Sequence, residues 1–324
     1  MKRGDNAFLI LKKEFTGIKR NVLMKNHTTF KIGGPAEYFL FARKRRDLLR
    51  AIRIAKKLKL PVFVLGGGSN LLVSDNGIKG LVVKLQNKEP IILKRRNIIQ
   101  TPAGIQLGKV VQFSIDKSLQ GLEWSGGLPG TFGGAIRGNA GAFGGEIKDS
   151  ILTVEALDNK LRLRKLSNEQ CRFSYRSSIF KEKNWAVISA ELKLVKGIKK
   201  NLKNIANSHI EYRKEKHPLE YPNAGSIFKN VDFRKVTLKI QKLFLDKVKK
   251  DPFLIIPSAW FIIGAGLAGK KIGQAQISKK HSNYIVNLGG AKAKDVLKLV
   301  ELIKKKVKNK YNIELEIEVQ FIGL

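Results

Sequence analysis

Apolar residues recur with a helical period in several parts of the chain. Between residues 46 and 59, Leu48, Leu49, Ile52 and Ala55 fall on one face of a helix, and basic residues occupy the opposite face. This pattern predicts an amphipathic helix that packs one side against a core. The same reasoning predicts further helices at 109–118, 202–215, 232–248 and 293–309.

Short apolar runs between turn residues predict β-strands. Residues 61–65 form such a run, which leads directly into a turn of three glycines, Ser69 and Asn70. Residues 313–321 alternate strictly between apolar and polar side chains, which predicts a final strand with one buried face. Similar patterns predict strands at 81–85, 91–100, 151–157, 161–166, 185–195, 226–230, 272–277 and 284–287.

Glycine is concentrated in one segment of the chain. Nine glycines fall within the twenty residues 126–145, mixed with Leu128, Pro129, Phe132 and Ile136. A flexible linker is the alternative interpretation, but linkers are usually rich in Ser and Lys. Glycine is costly on folding unless the backbone must turn sharply or approach another group closely. Together with the turn at 66–70, this segment predicts backbone amides that bind a dinucleotide pyrophosphate.

Neither glycine-rich turn follows a standard nucleotide motif. The pattern G-x-G-x-x-G is absent from both, and so is the P-loop ending in Lys-Ser/Thr. These absences disfavour a Rossmann domain and a P-loop NTPase.

The composition limits the classes of function that fit. The 324 residues carry a net charge of +37, which raises nucleic-acid binding as a hypothesis, but the lysines are spread along the chain without a basic arm. An anionic small molecule is the favoured ligand, and no nucleic-acid partner is expected. The lone Cys171 excludes an internal disulfide, and no Cys/His cluster predicts a metal site.

The sequence also predicts the location of the protein. The basic N-terminus has an apolar stretch, 7–11, that is shorter than a signal-peptide core. Residues 252–269 carry no charge, which touches the lower length of a membrane span, but Pro257, Ser258 and three glycines favour a buried turn. We therefore expect a cytoplasmic protein that does not span a membrane.

Six motifs occur in a fixed order along nearly the whole chain. They are HTTFKIGGPA at 27–36, GGGSNLL at 66–72, GLPGTFGGA at 127–135, NAGAFG at 139–144, FSYRSS at 173–178 and AGSIFKN at 224–230. The later AGL-x-G, IG, HSN and C-terminal LE-x-EV-x-x-IG segments extend the agreement. Together they closely resemble the UDP-N-acetylenolpyruvoylglucosamine reductase family, in its shorter class.

The resemblance implies an α+β fold and a domain order. It implies an FAD-binding region of the PCMH/vanillyl-alcohol-oxidase type, built of two α/β subdomains and followed by a smaller α+β substrate domain. The expected bounds are an N-terminal helix or extension at 1–20, the FAD-binding region at 21–196 with subdomains at about 21–85 and 86–196, and the substrate domain at 197–324.

The resemblance also implies the reaction. NADPH reduces FAD, and the reduced flavin gives a hydride to the enolpyruvyl group of UDP-N-acetylenolpyruvoylglucosamine, which yields UDP-N-acetylmuramate for peptidoglycan synthesis. By motif match, Ser226 donates the proton, while Arg176 and Glu318 stabilise the carboxylate and the enolate that develops from it. The strand pattern alone does not separate Glu318 from Glu316. A monomer is expected.

Motif matches also assign the binding residues. The residues expected to bind FAD are Gly66, Gly67, Gly68, Ser69, Asn70, Gly127, Pro129, Gly130, Thr131, Gly133, Gly134, Asn139, Gly141 and Ala142. The substrate is expected to meet Tyr175, Lys229, Asn230 and His281, although His281 could equally be an exposed histidine.

Two positions depart from the family pattern, and two other functions stay open. Val231 stands where the family commonly has proline, and Arg137 stands at a usually apolar position, where it could face a phosphate. The alternatives are a related FAD-dependent oxidase of an alcohol or sugar and, more remotely, a basic nucleic-acid-binding protein on the same scaffold.

Overall fold

The computed structural model describes residues 3–324, and this part of the chain contains nine α-helices. They are α1 Arg3–Glu14, α2 Arg45–Lys57, α3 Leu107–Asp116, α4 Phe132–Arg137, α5 Ile179–Glu182, α6 Lys199–Lys216, α7 Leu238–Leu243, α8 Ser258–Gly264 and α9 Ala293–Tyr311.

The described residues also form β-strands, many of them short. The strands before residue 140 are β1 Lys19–Leu23, β2 Pro35–Ala42, β3 Val62–Leu65, β4 Leu71–Val73, β5 Ile78–Leu85, β6 Ile92–Arg95, β7 Ile98–Pro102 and β8 Leu119–Gln120. Those up to residue 226 are β9 Gly141–Ala142, β10 Gly145–Glu146, β11 Ile151–Leu157, β12 Leu163–Ser167, β13 Ala186–Lys193, β14 Val195–Lys196 and β15 Asn223–Ser226. The remainder are β16 Val231–Asp232, β17 Lys249–Lys250, β18 Leu254–Ile256, β19 Lys271–Ile272, β20 Ala275–Ile277, β21 Tyr284–Asn287 and β22 Gln320–Ile322.

The chain forms two compact units, each assembled from separate segments. The first unit comprises the chain up to Leu23, Pro35–Gly67 and Gly77–His209, and the second comprises Met24–Gly34, Gly68–Asn76 and Ile210–Leu324. The predicted domain bounds at 20, 85 and 196 stay a prediction. The predicted N-terminal helix corresponds to α1, and Met1 and Lys2 lie outside the described residues.

The first unit contains two larger sheets. One has the strand order β1-β2-β5-β3, in which β5 runs parallel to both β2 and β3. The other has the order β12-β11-β13-β7-β6 and is antiparallel throughout. Apolar residues from both sheets and from α2, α3 and α4 share one core, which includes Tyr38, Leu81, Val110 and Phe132. Burial of these side chains is the main force that holds the unit together.

The second unit is built around short strands and the long helix α9. An antiparallel sheet of order β15-β21-β20-β19 lies beside β16-β18-β17, and β22 pairs in parallel with β4. Helix α9 buries Val296, Leu299, Val300 and Ile303 on one face, the i, i+3, i+4, i+7 pattern of an amphipathic helix. The core of this unit therefore joins sequence segments that lie more than 200 residues apart.

Several sequence predictions were wrong in detail. The strand predicted at 226–230 does not form, because β15 ends at Ser226 and β16 begins at Val231. Turns divide the strand predicted at 91–100 into β6 and β7, and the strand predicted at 272–277 into β19 and β20. Residues 313–319 do not form a regular strand, and only Gln320–Ile322 pairs in a sheet, with β4. The helix predicted at 232–248 is broken: α7 covers six residues between two 3-10 turns. The uncharged stretch at 252–269 forms β18 and α8. Among residues 3–324 no helix is both long and apolar enough to cross a membrane.

Candidate active site

The first glycine turn is divided between the two units, and its initial part meets the second glycine turn inside the first unit. A Cβ atom on Gly67 would lie 2.6 Å from the Gly130 Cα atom, and one on Gly66 would collide with the Thr131 hydroxyl. Gly67 therefore faces the backbone of Gly130, and Gly66 faces the Thr131 side chain, so neither glycine position has space for a side chain. A surface made of main-chain atoms is what a pyrophosphate needs for close approach.

The second glycine turn also packs against Ala103, the residue that follows β7. A Cβ atom on Gly133 would lie 2.6 Å from the Ala103 Cβ atom, and the Gly133 amide donates to the Ala103 carbonyl at 2.8 Å. Gly127 and Gly130 have positive φ angles of 75° and 112°, which favour glycine. These constraints explain why glycine is so frequent in this segment. They are compatible with the prediction that backbone amides of the two turns bind FAD.

The remainder of the first glycine turn lies in the second unit. The Gly68 carbonyl accepts from the Thr29 amide at 3.1 Å, and a Cβ atom on Gly68 would collide with the His27 carbonyl. Asn70 donates from Nδ2 to the Glu318 carbonyl at 3.2 Å, and its own carbonyl accepts from the Gln320 amide at 3.0 Å. Asn70 thus holds the segment that carries Glu318.

Asn139 is fully buried and makes its contacts within the protein. Its Nδ2 atom donates to Glu146 Oε1 and to the Ser174 carbonyl, both at 3.0 Å, and its Oδ1 atom accepts from the Lys148 amide at 3.3 Å. Asn139 therefore fixes the loop that contains Gly141 and Ala142. Contact between its side chain and the flavin stays a prediction.

Arg176 lies on a tight turn of the first unit and reaches the same loop. Its backbone is left-handed, with φ at 57°, and its Nη2 atom donates to the Gly141 carbonyl at 2.9 Å. The guanidinium carbon lies 5.0 Å from the centre of the Tyr175 ring, a cation–π contact. Tyr175 and Arg176, both predicted site residues, thus contact each other. The hydrogen bond to Gly141 also joins Arg176 to the loop that is expected beside the flavin.

The structure accounts for Arg137, whose role the sequence left open. Its Nη1 atom donates to the Phe180 carbonyl, and its Nη2 atom donates to Asn184 Oδ1 at 3.3 Å. Burial lowers the pKa of this guanidinium. Arg137 thus binds the end of α5.

Ser226 lies at the end of β15, directly opposite Tyr284 on β21. The preceding Gly225 has a φ angle of 79°, which permits the turn into Ser226. The next residue, Ile227, accepts from the Glu318 amide at 2.8 Å through its carbonyl. Ser226 and Glu318, two of the three predicted catalytic residues, are therefore close in the second unit.

The two candidate acids differ in their surroundings. Glu316 is 71% exposed and forms an ion pair with Lys229. Glu318 is half-buried, and its charge raises the pKa of the Tyr284 hydroxyl, for which burial is the larger cause. The charge of Glu318 thus reaches Tyr284, the residue opposite Ser226.

Two predicted substrate residues take part in local structure. Lys229 pairs with Glu316, and its carbonyl accepts from the Ser258 hydroxyl. Asn230 Oδ1 accepts from the Ser258 amide at 3.2 Å, at the start of α8. Their predicted contact with the substrate is not tested by these contacts.

His281 is half-buried and belongs to a cluster that the sequence did not reveal. Its ring lies 5.3 Å from His217 and 4.8 Å from Tyr284, and its Nδ1 atom is buried without a hydrogen-bond partner among the described residues. Burial lowers the pKa of His281 to about 4. The alternative of an exposed surface histidine is therefore wrong.

His217 and Arg213 complete this cluster in the second unit. Burial, with Arg213, His281 and two lysines, lowers the pKa of His217 to about 3. Arg213 lies in the last turn of α6, and His217 directly follows the helix, where its amide donates to the Arg213 carbonyl at 3.0 Å. Their approach to Tyr284 depends on tertiary structure alone.

Comparison with known proteins identifies the family. Residues 217–322 match the C-terminal domain of UDP-N-acetylenolpyruvoylglucosamine reductases, and residues 36–167 match an FAD-binding domain. The UDP-N-acetylenolpyruvoylglucosamine reductase of Caldanaerobacter subterraneus is 41% identical over 303 residues, which are 94% of this chain and 93% of the relative. That of Clostridium novyi is 40% identical over 314 residues, 97% of this chain and 94% of the relative.

A solved structure agrees with the sequence relatives. The crystal structure of the reductase MurB from Thermus caldophilus superposes with a TM-score of 0.75 at 31% identity, covering 94% of this chain and 99% of the other. The predicted α+β fold with an FAD-binding region followed by a substrate-domain family match is confirmed. The chain therefore belongs to the UDP-N-acetylenolpyruvoylglucosamine reductase (MurB) family, FAD-binding oxidoreductases of peptidoglycan precursor synthesis.

Proposed function

We propose that this chain uses NADPH and FAD to reduce the enolpyruvyl group of UDP-N-acetylenolpyruvoylglucosamine, which gives UDP-N-acetylmuramate. The observation that carries the proposal is the pairing of Ser226 with Glu318 in the second unit. The Ile227 carbonyl, next to Ser226, accepts from the Glu318 amide at 2.8 Å. A hydroxyl and a carboxyl carried on hydrogen-bonded backbone segments suit a reaction that must protonate carbon next to a carboxylate.

The chain offers a place for FAD that fits its chemistry. Gly66 and Gly67 pack directly against Thr131 and Gly130, so the backbone amides of both turns are proposed to meet the pyrophosphate from adjacent positions. Gly68, Ser69, Asn70, Gly127, Pro129, Gly133 and Gly134 are the other proposed FAD contacts around these turns. The loop with Asn139, Gly141 and Ala142 is proposed to border the ring. Bound FAD would supply the hydride for the β-carbon of the enolpyruvyl group.

Ser226 is proposed to protonate the α-carbon. A serine hydroxyl is a weak acid in water, so it serves here only because the carbanion is strongly basic and the geometry is fixed. Arg176 would bind the carboxylate with its planar, permanently charged guanidinium, and Glu318 would hydrogen-bond the developing enolate. The tie from Arg176 to the Gly141 carbonyl limits the motion of that guanidinium.

The remaining proposed contacts concern the substrate. Tyr175 packs on Arg176, and Lys229, Asn230 and His281 are the proposed partners of the UDP diphosphate. For Lys229 this requires that its ion pair with the exposed Glu316 yields to the more highly charged diphosphate. A cytoplasmic location and a monomeric state stay predictions.

An absorption experiment tests this function. The purified protein is expected to show a flavin spectrum that NADPH bleaches and that the UDP-enolpyruvyl sugar restores under anaerobic conditions. Ser226→Ala should be bleached by NADPH at the normal rate and restored by the sugar at least ~100-fold more slowly, since a positioned proton donor contributes about 10²–10⁴-fold. Protein that cannot be loaded with FAD, or a reduced form that is indifferent to the sugar, would refute the proposal.

A further inference from the structure

Next to Ser226 lies a group of side chains to which the reaction as described gives no part. Tyr284 pairs with Ser226 in the sheet register. Burial raises the pKa of the Tyr284 hydroxyl, while the nearby side chains of Arg213 and Ser226 lower it. The same hydroxyl lies 3.3 Å from His217 Nδ1. Tyr284 therefore connects the proposed proton donor to an imidazole.

The middle of this connection is buried, and both ends, Ser226 and His217, are half-buried. Tyr284 is only 4% exposed, whereas His217 is half-buried and retains access to water. A serine that gives up its proton in each turnover must regain one. The path from Ser226 to His217 therefore passes through the buried Tyr284 hydroxyl and ends at a side chain that water reaches.

The charges around the cluster keep His217 neutral. Arg213, His281, Lys280 and Lys249 all act against a positive charge on His217, in addition to burial. Glu318 is the acid that acts on the Tyr284 hydroxyl from the opposite segment. A neutral imidazole can give a proton from one nitrogen and take one at the other, so it can pass a proton without becoming a cation.

We propose that Tyr284 positions the Ser226 hydroxyl and, together with His217, returns a proton to it after each turnover. This inference rests on the proposed function, because it takes Ser226 as the proton donor. Tyr284 and His217 are positioning and relay residues, since neither is assigned a contact with the substrate.

The proton balance of the relay is closed by water. As the Ser226 O–H bond breaks and the new C–H bond forms, Ser226 Oγ takes the Tyr284 proton and Tyr284 takes the Nδ1 proton of His217. Hydronium protonates His217 Nε2, so the ring stays neutral, and exchange with water later restores the Nδ1–H tautomer. Each electron pair stays on the oxygen or nitrogen that loses its proton, so the relay involves no redox change.

Tyr284→Phe tests the relay with the smallest possible change, because it removes one hydroxyl and keeps the ring. We expect normal bleaching by NADPH, an unchanged KM for the UDP-enolpyruvyl sugar and a kcat that falls about tenfold, less than the ~10²–10⁴-fold of a direct proton donor. The matched control is Tyr311→Phe, which removes a tyrosine hydroxyl elsewhere in the second unit, where Tyr311 packs on Phe244 and Phe261. The control should keep the wild-type kcat.

His217→Ala provides a readout that a purely structural role would not move. Its lowered kcat should be partly restored by added imidazole, which can fill the space and carry the proton, and N-methylimidazole should restore less. His217→Gln should preserve thermal stability and KM, because an amide can still hydrogen-bond to Tyr284, while its kcat stays low because an amide does not relay protons at this rate.

A spectroscopic measurement tests the same contact without turnover. In the oxidised protein without substrate, the ¹⁵N shifts of His217 report which ring nitrogen carries the proton. Tyr284→Phe should move the Nδ1 signal, and Tyr311→Phe should leave it in place. An unmoved Nδ1 signal would overturn the assignment of the hydrogen bond.

The outcomes separate this inference from the function on which it rests. If Tyr284→Phe is reoxidised by the sugar as fast as wild type while Ser226→Ala is slow, the relay is wrong and the proposed function stands. If wild-type protein loaded with FAD is not reoxidised by the sugar, the proposed function fails and the relay fails with it. A slow Tyr284→Phe together with imidazole rescue of His217→Ala supports both.

Discussion

At the scale of single residues, the motifs located functional candidates but did not disclose how they are held. Asn139 and Arg137 both lie in the glycine-rich segment, but their partners are distant along the chain. Asn139 donates to the Ser174 carbonyl, and Arg137 donates to the Phe180 carbonyl. The Tyr284–His217 contact joins positions 67 residues apart. Such partners depend on the fold, so no local spacing in the sequence could have predicted them.

Asn139→Ala should destabilise the first unit, because it leaves a buried carboxylate oxygen of Glu146 and the Ser174 carbonyl without their donor. The expected loss is about 1–3 kcal/mol, as for other buried groups that lose a hydrogen-bond partner. The measurement is the thermal unfolding midpoint of the protein. Asn159→Ala is the control, because Asn159 donates one exposed hydrogen bond to Lys183 and its loss should move the midpoint little.

The two buried histidines predict an acid-sensitive second unit. Their folded pKa values, about 3 for His217 and about 4 for His281, lie below the unfolded value near 6.5, so the unfolded state binds more protons as the pH falls. The stability contributed by the neutral histidines is therefore complete above pH 6.5, and it is lost as the pH falls toward 4 for His281 and toward 3 for His217. Glu191 has its pKa lowered from 4.5 to about 2, so its loss falls below pH 4.5.

The window from pH 6.5 to 4.5 therefore isolates the histidines. We expect the urea midpoint to fall across this window in wild type and to fall less in a His217→Gln/His281→Gln variant. The variant and wild type should converge in their acid response only below about pH 3, because unfolding continues to bind a proton at His217 down to its folded pKa. An equally steep fall in the variant between pH 6.5 and 4.5 would show that other groups cause the acid sensitivity.

At the scale of elements, hydrophobic periodicity predicted the long helices well and the short elements poorly. Helices α2 and α9 agree with the predicted ranges because a full amphipathic stripe is buried along each. Residues 313–319 alternate in the same way as a strand, and Leu315 and Val319 are buried, but a single bridge from Ile317 to Phe228 replaces a ladder. Alternation reports burial on one face, and it does not report whether a partner strand is present.

Gly67→Ala should separate the two glycine turns. The added Cβ would lie 2.6 Å from the Gly130 Cα atom and 3.3 Å from the Thr131 nitrogen, and backbone atoms have little freedom to yield. An overpacking cost of about 1–3 kcal/mol that falls on the cofactor site should weaken FAD binding by about tenfold or more. FAD fluorescence titration gives the dissociation constant.

Gly108→Ala is the matched control for that substitution. A Cβ on Gly108 would meet no atom within 4 Å, and the residue lies in the first turn of α3. Alanine should therefore leave FAD affinity unchanged and stabilise the protein by about 0.5–1 kcal/mol, since glycine is the poorer helix former. If both variants bind FAD as wild type does, the close approach of the turns is not required by the cofactor.

At the scale of the whole molecule, the net charge of +37 should act on the rate of encounter with anionic ligands. The 2′-phosphate gives NADPH about two more negative charges than NADH, so salt should slow NADPH more. We expect kcat/KM for flavin reduction to fall with rising NaCl for both cofactors, and the logarithm of kcat/KM to fall more steeply with NADPH because screening weakens attraction in proportion to charge. Stopped-flow bleaching at several salt concentrations measures both slopes on one enzyme preparation, which makes each cofactor the control for the other. Equal slopes for NADPH and NADH would mean that the positive charges lie too far from the NADPH site to attract the cofactor. The net charge would then affect solubility rather than flavin reduction.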